Sequence, residues 1–200
     1  FEPEVITAEK EKLVVKASAY DSRVGIVHYN ENSPDSGLLF DESVDVVGTV
    51  PFDRWNIEQH GSTSARFGAF LKDIGFFDTT AFSISQSETS LIDPQQRLLL
   101  ELIGSSLIAY HSSEAGSHRG VYIGLASSDY GSLVHAYAEK GAFHATSNAL
   151  SVACGRISYT FGFQGPSLSI DTACSASLVA THIAARDIAS GRSALSYASG

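Results

Sequence analysis

The sequence predicts an α/β layered fold, a central sheet covered by helices on both faces, because strand and helix patterns alternate along the second half of the chain. Three observations carry this. The run Arg119-Gly120-Val121-Tyr122-Ile123-Gly124-Leu125 is short, apolar and bounded by turn residues, as a buried strand requires. Ser167-Leu168-Ser169-Ile170-Asp171 alternates polar and apolar at period two, the pattern of a second strand. The period then switches abruptly, and from Cys174 the Ala- and Leu-rich residues Ser175 to Ser190, with Leu178, Val179, Ile183 and Ile188, read as a helix.

The remaining elements follow in chain order. Leu13-Val14-Val15 predicts a strand, and the turn-rich residues Asn30 to Gly37 predict a loop after it. At Asp93-Pro94-Gln95-Gln96 the aspartate can cap a helix, the proline suits its first position, and Gln96 can complete a capping box. The helix so begun is apolar on nearly every side (Leu98, Leu99, Leu100, Leu102, Ile103, Leu107, Ile108), which fits burial between layers. Ser127 to Gly131 end the strand before them. From Asn148 to Phe161, Leu150, Cys154, Ile157 and Phe161 recur at helical spacing, and Gly162 with Gly165-Pro166 closes that helix. Ala194 to Ala198 predicts a last strand.

Composition excludes several classes of function. Thirteen basic against 22 acidic residues give a formal charge of −9, and no Lys/Arg cluster forms the positive stripe that a phosphate backbone needs. Nucleic acid is therefore not an expected partner. No apolar run approaches the roughly 20 residues of a membrane-spanning helix, and Phe1-Glu2-Pro3-Glu4 lacks the basic-then-apolar start of a secretory signal. The expected location is cytoplasmic, with a plastid or other organellar address left open. Absence of any methionine points to a partial sequence. The two cysteines, Cys154 and Cys174, are too few for a disulfide framework and lack zinc-ligand spacing, so no metal is expected.

Cys174 stands where a predicted strand passes through a tight turn into a helix. Unpaired N–H groups and the positive end of the helix dipole there favour thiolate over thiol. Its own N–H can serve as an oxyanion donor. The small neighbours Ala173, Ser175 and Ala176 leave room for an acyl chain. A lone intracellular cysteine is more often a small buried hydrophobe, and the strand–turn–helix setting alone brings the two readings to about even.

The residues themselves go further. Asp171-Thr172-Ala173-Cys174-Ser175-Ala176-Ser177-Leu178 resembles the active-site segment of β-ketoacyl synthases, specifically the ketosynthase domains of type I polyketide synthases. The resemblance extends through Ser147 to Tyr159, Gly165-Pro166-Ser167, Ser127 to Tyr130, Asp93 to Glu101 and Val50 to Trp55. It implies residues 46–200 as the amino-terminal half of a ketosynthase domain, truncated before its carboxy-terminal half, and residues 1–45 as a poorly matched segment of the same domain. It also implies a thiolase-like layered fold, α-β-α-β-α when complete, working as a homodimer with the strand from Ser167 to Asp171 pairing across the two-fold axis. The implied reaction is a decarboxylative Claisen condensation between an acyl chain on Cys174 and a malonyl-type extender on acyl carrier protein. No cofactor is bound directly; acyl and malonyl-type thioesters arrive on phosphopantetheine. Ala126 and Ser127, with Ala173 and Ser175, are expected to line the acyl site, whereas Asp129 and Tyr130 are expected to structure their loop.

Departures from the family pattern bear on these expectations. Ala17 to Arg23 lack the Arg-Phe-Pro-Gly-like turn, Ser147 replaces a usual glycine, Ala176 a usual serine, and Cys154 a small apolar residue, where it is expected to pack in the core. The family draws two catalytic histidines from its carboxy-terminal half. His182 is no substitute, being eight residues along the helix and about 12 Å from Cys174; His28, His60, His111, His118, His135 and His144 fall in expected loops or helix flanks. By itself the fragment is expected to be inactive. Two other readings stay open: a fatty-acid synthase-type condensing enzyme, and a non-catalytic piece acting only in dimerisation or docking.

Overall fold

The computed structural model describes residues 14–17, 24–28, 45–57, 65–109, 118–137 and 144–200. They fall into two compact units, one of residues 31–76 and one of the remainder. The predicted loop from Asn30 to Gly37 and the histidines His60 and His111 lie outside the described residues.

The larger unit is built on a five-stranded mixed sheet. Its strands are β1 (Val14–Ala17), β2 (Val24–His28), β5 (Arg119–Gly124), β6 (Ser167–Ile170) and β7 (Leu195–Ser199), in the order β2-β1-β7-β5-β6. β5 runs parallel to both β6 and β7, and β1 runs antiparallel to β7 and β2. β2 was not anticipated, so His28 closes a strand where a loop or helix flank was expected. The smaller unit holds the two-residue strands β3 (Gly48–Thr49) and β4 (Phe67–Gly68), paired antiparallel, with Trp55 edge-on to Phe70.

β5 is the core strand, buried along its whole length. Its side chains alternate between two apolar layers, as the period of a strand demands. Val121 and Ile123 join Leu99, Leu100 and Ile103 of helix α2 (Pro94–Ala109) and Ala153, Cys154 and Ile157 of α5 (Leu150–Phe161). Tyr122 faces the other way, onto Ala180 and Ala184 of α6 (Ala176–Ala189). Helices thus cover both faces, as predicted. In α6, Ala176, Ala180, Ala184 and Ile188 are all buried at four-residue spacing. The three alanines of this stripe let the helix backbone lie close over the sheet.

Three short helices complete the unit: α1 (Gln86–Thr89), α3 (Tyr130–Tyr137) and α4 (His144–Asn148). His135 therefore lies inside a helix rather than beside one, and His144 begins one. α5 starts two residues later than expected because α4 already ends at Asn148, and it stops at Gly162, whose φ of 68° is the left-handed conformation glycine adopts without steric cost. Cys154 is buried, as its packing role requires.

α2 begins as expected, with Asp93 Oδ1 accepting from the Gln95 N–H at 2.8 Å. The capping box is not formed. Gln96, 2% exposed, instead donates to the carbonyls of Ser147 and Ala149 and accepts from Arg156 Nε at 3.0 Å, while the Asp93 N–H donates to Ser147 O. Buried amides must be satisfied, and the carbonyls of the α4–α5 junction are the acceptors within reach. α2 is also less enclosed than its composition suggests: Leu99, Leu100 and Ile103 are buried, but Ile108 is 72% exposed.

Candidate active site

The chain passes from the end of β6 at Ile170 to the first residue of α6 at Ala176 through one turn, and local chemistry holds that turn. Asp171 Oδ1 accepts from the Ala173 N–H at 3.0 Å. Ser175 Oγ donates to the Thr172 carbonyl at 2.8 Å and lies 2.9 Å from Thr172 Oγ1. Residues Ala173–Ser175 form a single 3-10 turn that runs into α6. Ala173 has a φ of 53°. A left-handed alanine costs about 1–2 kcal/mol, so the strain sits on the residue immediately before the cysteine.

Cys174 lies in the middle of this 3-10 turn, exposed, one residue ahead of the α6 N-cap Ser175. Among the described residues its N–H has no assigned acceptor. The two amides that follow are engaged, Ser175 N–H donating to Thr172 O at 3.3 Å and Ala176 N–H to Ala173 O, so the Cys174 N–H is the donor of this turn left for an incoming carbonyl oxygen, at the positive end of the α6 dipole.

Glycines decide how near this turn comes to the sheet. A Cβ on Gly124, the last residue of β5, would stand 2.5 Å from the carbonyl carbon of Ala176 and 2.6 Å from the Ser177 nitrogen. A Cβ on Gly200 would stand 2.6 Å from Gly124 O and 3.0 Å from Ser177 Cβ. The start of α6 thus rests directly on the backbone at the carboxy-terminal ends of β5 and β7. In a parallel sheet that edge is where ligands bind.

The loop after β5 lies at the same edge. Gly124 pairs with Ile170, and the Leu125 N–H donates to Ile170 O at 2.9 Å, so Ala126 and Ser127 continue beyond the sheet where Asp171 leaves it. Both are exposed. The loop is tied back to the α1–α2 junction: Gln95 Nε2 donates to Ser127 O at 2.9 Å, Ser128 Oγ to Asp93 Oδ2, and Tyr130 Oη to Ser90 O at 2.9 Å.

Cys174, Ala173 and Ser175 therefore share one turn, and Ala126 and Ser127 occupy the loop at the same sheet end. His182 and His118 are exposed and separate from the turn in sequence and element. Among the described residues no group of three His, Cys, Asp or Glu side chains could hold a metal ion, and no helix is long and apolar enough to cross a membrane. The roles of Gly124, Asp171 and Gln95 were not anticipated. Asp171, two residues before a turn amide, carries the local signal of an Asx turn. Gly124 and Gln95 act on residues tens of positions away and carry none.

Residues 34–200 match the family model described as the β-ketoacyl synthase N-terminal domain. The chain is 41% identical over 169 residues to polyketide synthase GfsB of Streptomyces halstedii, covering 76% of this chain and 3% of that protein. It is 40% identical over 174 residues to the spectinabilin polyketide synthase system protein NorA of Streptomyces orinoci, covering 81% and 9%. Among solved structures, the oxazolomycin ketosynthase domain OzmH KS7 of Streptomyces albus JA3453 superposes with a TM-score of 0.61 at 32% identity, over 76% of this chain and 28% of that one. The ketosynthase from module 6 of the bacillaene synthase of Bacillus subtilis 168 superposes with a TM-score of 0.64 at 28% identity, over 76% and 26%. The chain thus spans under a tenth of these polyketide synthases and about a quarter of the ketosynthase chains. Its sequence and its mixed sheet agree, and the chain belongs to the β-ketoacyl synthase family, with the thiolase-like α/β fold of ketosynthase domains.

Proposed function

We propose that this chain supplies the acyl-accepting half of a polyketide-type ketosynthase, with Cys174 as the nucleophile. The observation that carries the reading is an exposed cysteine in a tight turn between the carboxy-terminal end of a parallel strand and the amino-terminal end of a helix. Cys174 Sγ, as thiolate, attacks the carbonyl carbon of an acyl thioester; the new C–S bond forms, and the phosphopantetheine thiolate of the acyl carrier protein leaves. The negative charge on the carbonyl oxygen during this step is stabilised by the Cys174 N–H. In the second half-reaction a malonyl-type extender on acyl carrier protein loses carbon dioxide. The electron pair freed by that C–C cleavage attacks the Cys174-bound carbonyl, and the sulfur departs as thiolate.

Ala173, Ser175, Ala126 and Ser127 line the acyl group in this reading, their small side chains leaving the space around Sγ free. The carrier protein is a transient partner and no resident cofactor takes part. Residues 46–200 act as the cysteine-bearing half of the condensing domain, with residues 1–45 a less characteristic start. A homodimer is supported by β6, which among the described residues is one of the two edge strands of the sheet and carries the exposed Leu168. Such an edge offers unpaired backbone groups to a second copy.

The test is chemical. The protein as encoded is incubated with an acyl N-acetylcysteamine thioester and digested, and the acyl mass is located by tandem mass spectrometry. Adduct on the Cys174 peptide, lost in Cys174→Ala, is expected; an adduct elsewhere, or one that survives the substitution, overturns the assignment.

A further inference from the structure

Asp93 caps α2 with only one of its carboxylate oxygens. Oδ1 accepts from the Gln95 N–H, and Oδ2 accepts from Ser128 Oγ across the gap to the loop after β5. Gln95, the second residue of the same helix, sends its side-chain amide outward to Ser127 O at 2.9 Å, with a longer contact of 3.4 Å to Asp93 Oδ2. Tyr130 Oη reaches Ser90 O just before the helix. Residues 127, 128 and 130 are thus each fastened to the 90–95 segment, and the anchor is rigid, since Asp93 is 2% exposed and Ile92 wholly buried. The side chains of Ala126 and Ser127 are exposed, so among the described residues these hydrogen bonds are what fastens the loop.

From this arrangement we infer that Gln95 and Ser128 are positioning residues that set the acyl-chain length accepted at Cys174. They act by fixing how far the loop from Ala126 to Tyr130 stands from the Cys174 turn. The inference rests on the proposed acylation of Cys174. A loop has few packing contacts of its own, so two hydrogen bonds decide between one position and several. With the loop fixed, a long acyl chain meets a wall of constant shape. With it released, the wall yields, and discrimination between chain lengths falls while the sulfur, held by its own turn, keeps its reactivity.

The test uses the protein as encoded and acyl N-acetylcysteamine thioesters of graded chain length. Two rates are followed at Cys174 by mass spectrometry: acylation as a function of thioester concentration, and alkylation by iodoacetamide, which reports the sulfur alone. Gln95→Ala and Ser128→Ala are expected to change the ratio of long- to short-chain kcat/KM about five- to tenfold, the worth of one hydrogen bond, mainly through KM. Iodoacetamide alkylation stays within twofold of wild type, and Ser128→Thr, which keeps a hydroxyl for Asp93, restores the wild-type ratio. A ratio unchanged in both alanine variants overturns the inference and leaves the nucleophile standing. Equal falls in acylation and alkylation also overturn it, by showing general damage to the turn. Absence of Cys174 acylation in the wild-type protein overturns the reading beneath it.

Discussion

Replacing Gly124 by alanine is the most direct probe of how Cys174, the proposed nucleophile, is held. The added Cβ would lie 2.5 Å from Ala176 C, 2.6 Å from Ser177 N and 2.8 Å from Ala176 O, all of them backbone atoms that no rotamer change can move. Bringing the shortest of these contacts to an ordinary van der Waals separation requires the first turn of α6 to retreat by about 1 Å, since carbon atoms pack near 3.5–4.0 Å apart. Overpacking of this kind costs about 1–3 kcal/mol of stability. The functional loss is larger, because Cys174 stands two residues ahead of Ala176 and travels with it. A misplacement of about 1 Å lowers the rate of a positioned reaction by about 10²-fold. Gly124→Ala is therefore expected to remain folded by circular dichroism yet acylate Cys174 about two orders of magnitude more slowly. Acylation within threefold of wild type, at an unchanged unfolding midpoint, would refute the argument that the glycine seats the helix.

Further outcomes follow from single observations. Ala173→Gly is expected to stabilise the protein by up to about 1 kcal/mol in denaturant titration, because the left-handed φ of 53° carries no Cβ penalty in glycine; Ala173→Val is expected to destabilise it. Arg156 donates to Glu88 Oε1 at 2.6 Å and to Gln96 Oε1 at 3.0 Å, joining α1, α2 and α5, and is only 10% exposed. Arg156→Ala should cost about 3 kcal/mol by the same titration, since it leaves the buried Gln96 amide oxygen and the partly exposed Glu88 carboxylate without this partner, and Arg156→Lys should recover only part of that because an ammonium cannot match the guanidinium fork. Burial pushes the Glu101 carboxyl above its ordinary range, against the lowering effect of Arg97. A carboxyl raised on folding contributes stability at low pH that is lost as pH rises through its folded value. Glu101→Gln is therefore expected to raise the thermal midpoint at neutral pH and to match wild type below about pH 4, where both side chains are uncharged.

Which parts of the architecture were legible in advance depends on how far along the chain their causes reach. β5, β6, β7, α5 and α6 are set by apolar periodicity within a dozen or so residues, and each appears within two residues of where that periodicity places it. The junction at Cys174 was legible for the same reason: a period-two run meets a helical one there, and the chain has to turn between them. Asp93 and Pro94 likewise announce the start of α2 through purely local chemistry. β2 was missed because Val24 to His28 is short and interrupted by Gly25, and its partner β1 is itself only four residues long. α3 was missed because Ser127 to Gly131 has the composition of a turn, although the loop it forms is pinned at Asp93 and Gln95 and passes directly into helix; α4 is only five residues long and ends where α5 was expected to begin.

Contacts between distant segments had no trace in the linear pattern. Gln96 was expected to fold back on Asp93, but its amide is drawn to Ser147 and Ala149, and only the packed chain brings those carbonyls within reach. Gly124 looks like an ordinary strand glycine until α6 is laid against it, when the missing Cβ becomes the space that the helix start occupies. The left-handed alanine at 173 belongs to the same group, for nothing in Asp171-Thr172-Ala173-Cys174 requires a strained backbone until both the strand and the helix are anchored. Residue order along the chain thus singled out Cys174 as the proposed nucleophile and set the elements on either side of it. The position of that nucleophile, to the fraction of an ångström that chemistry needs, came from packing, because close approach is a property of pairs of surfaces and neither surface carries it alone.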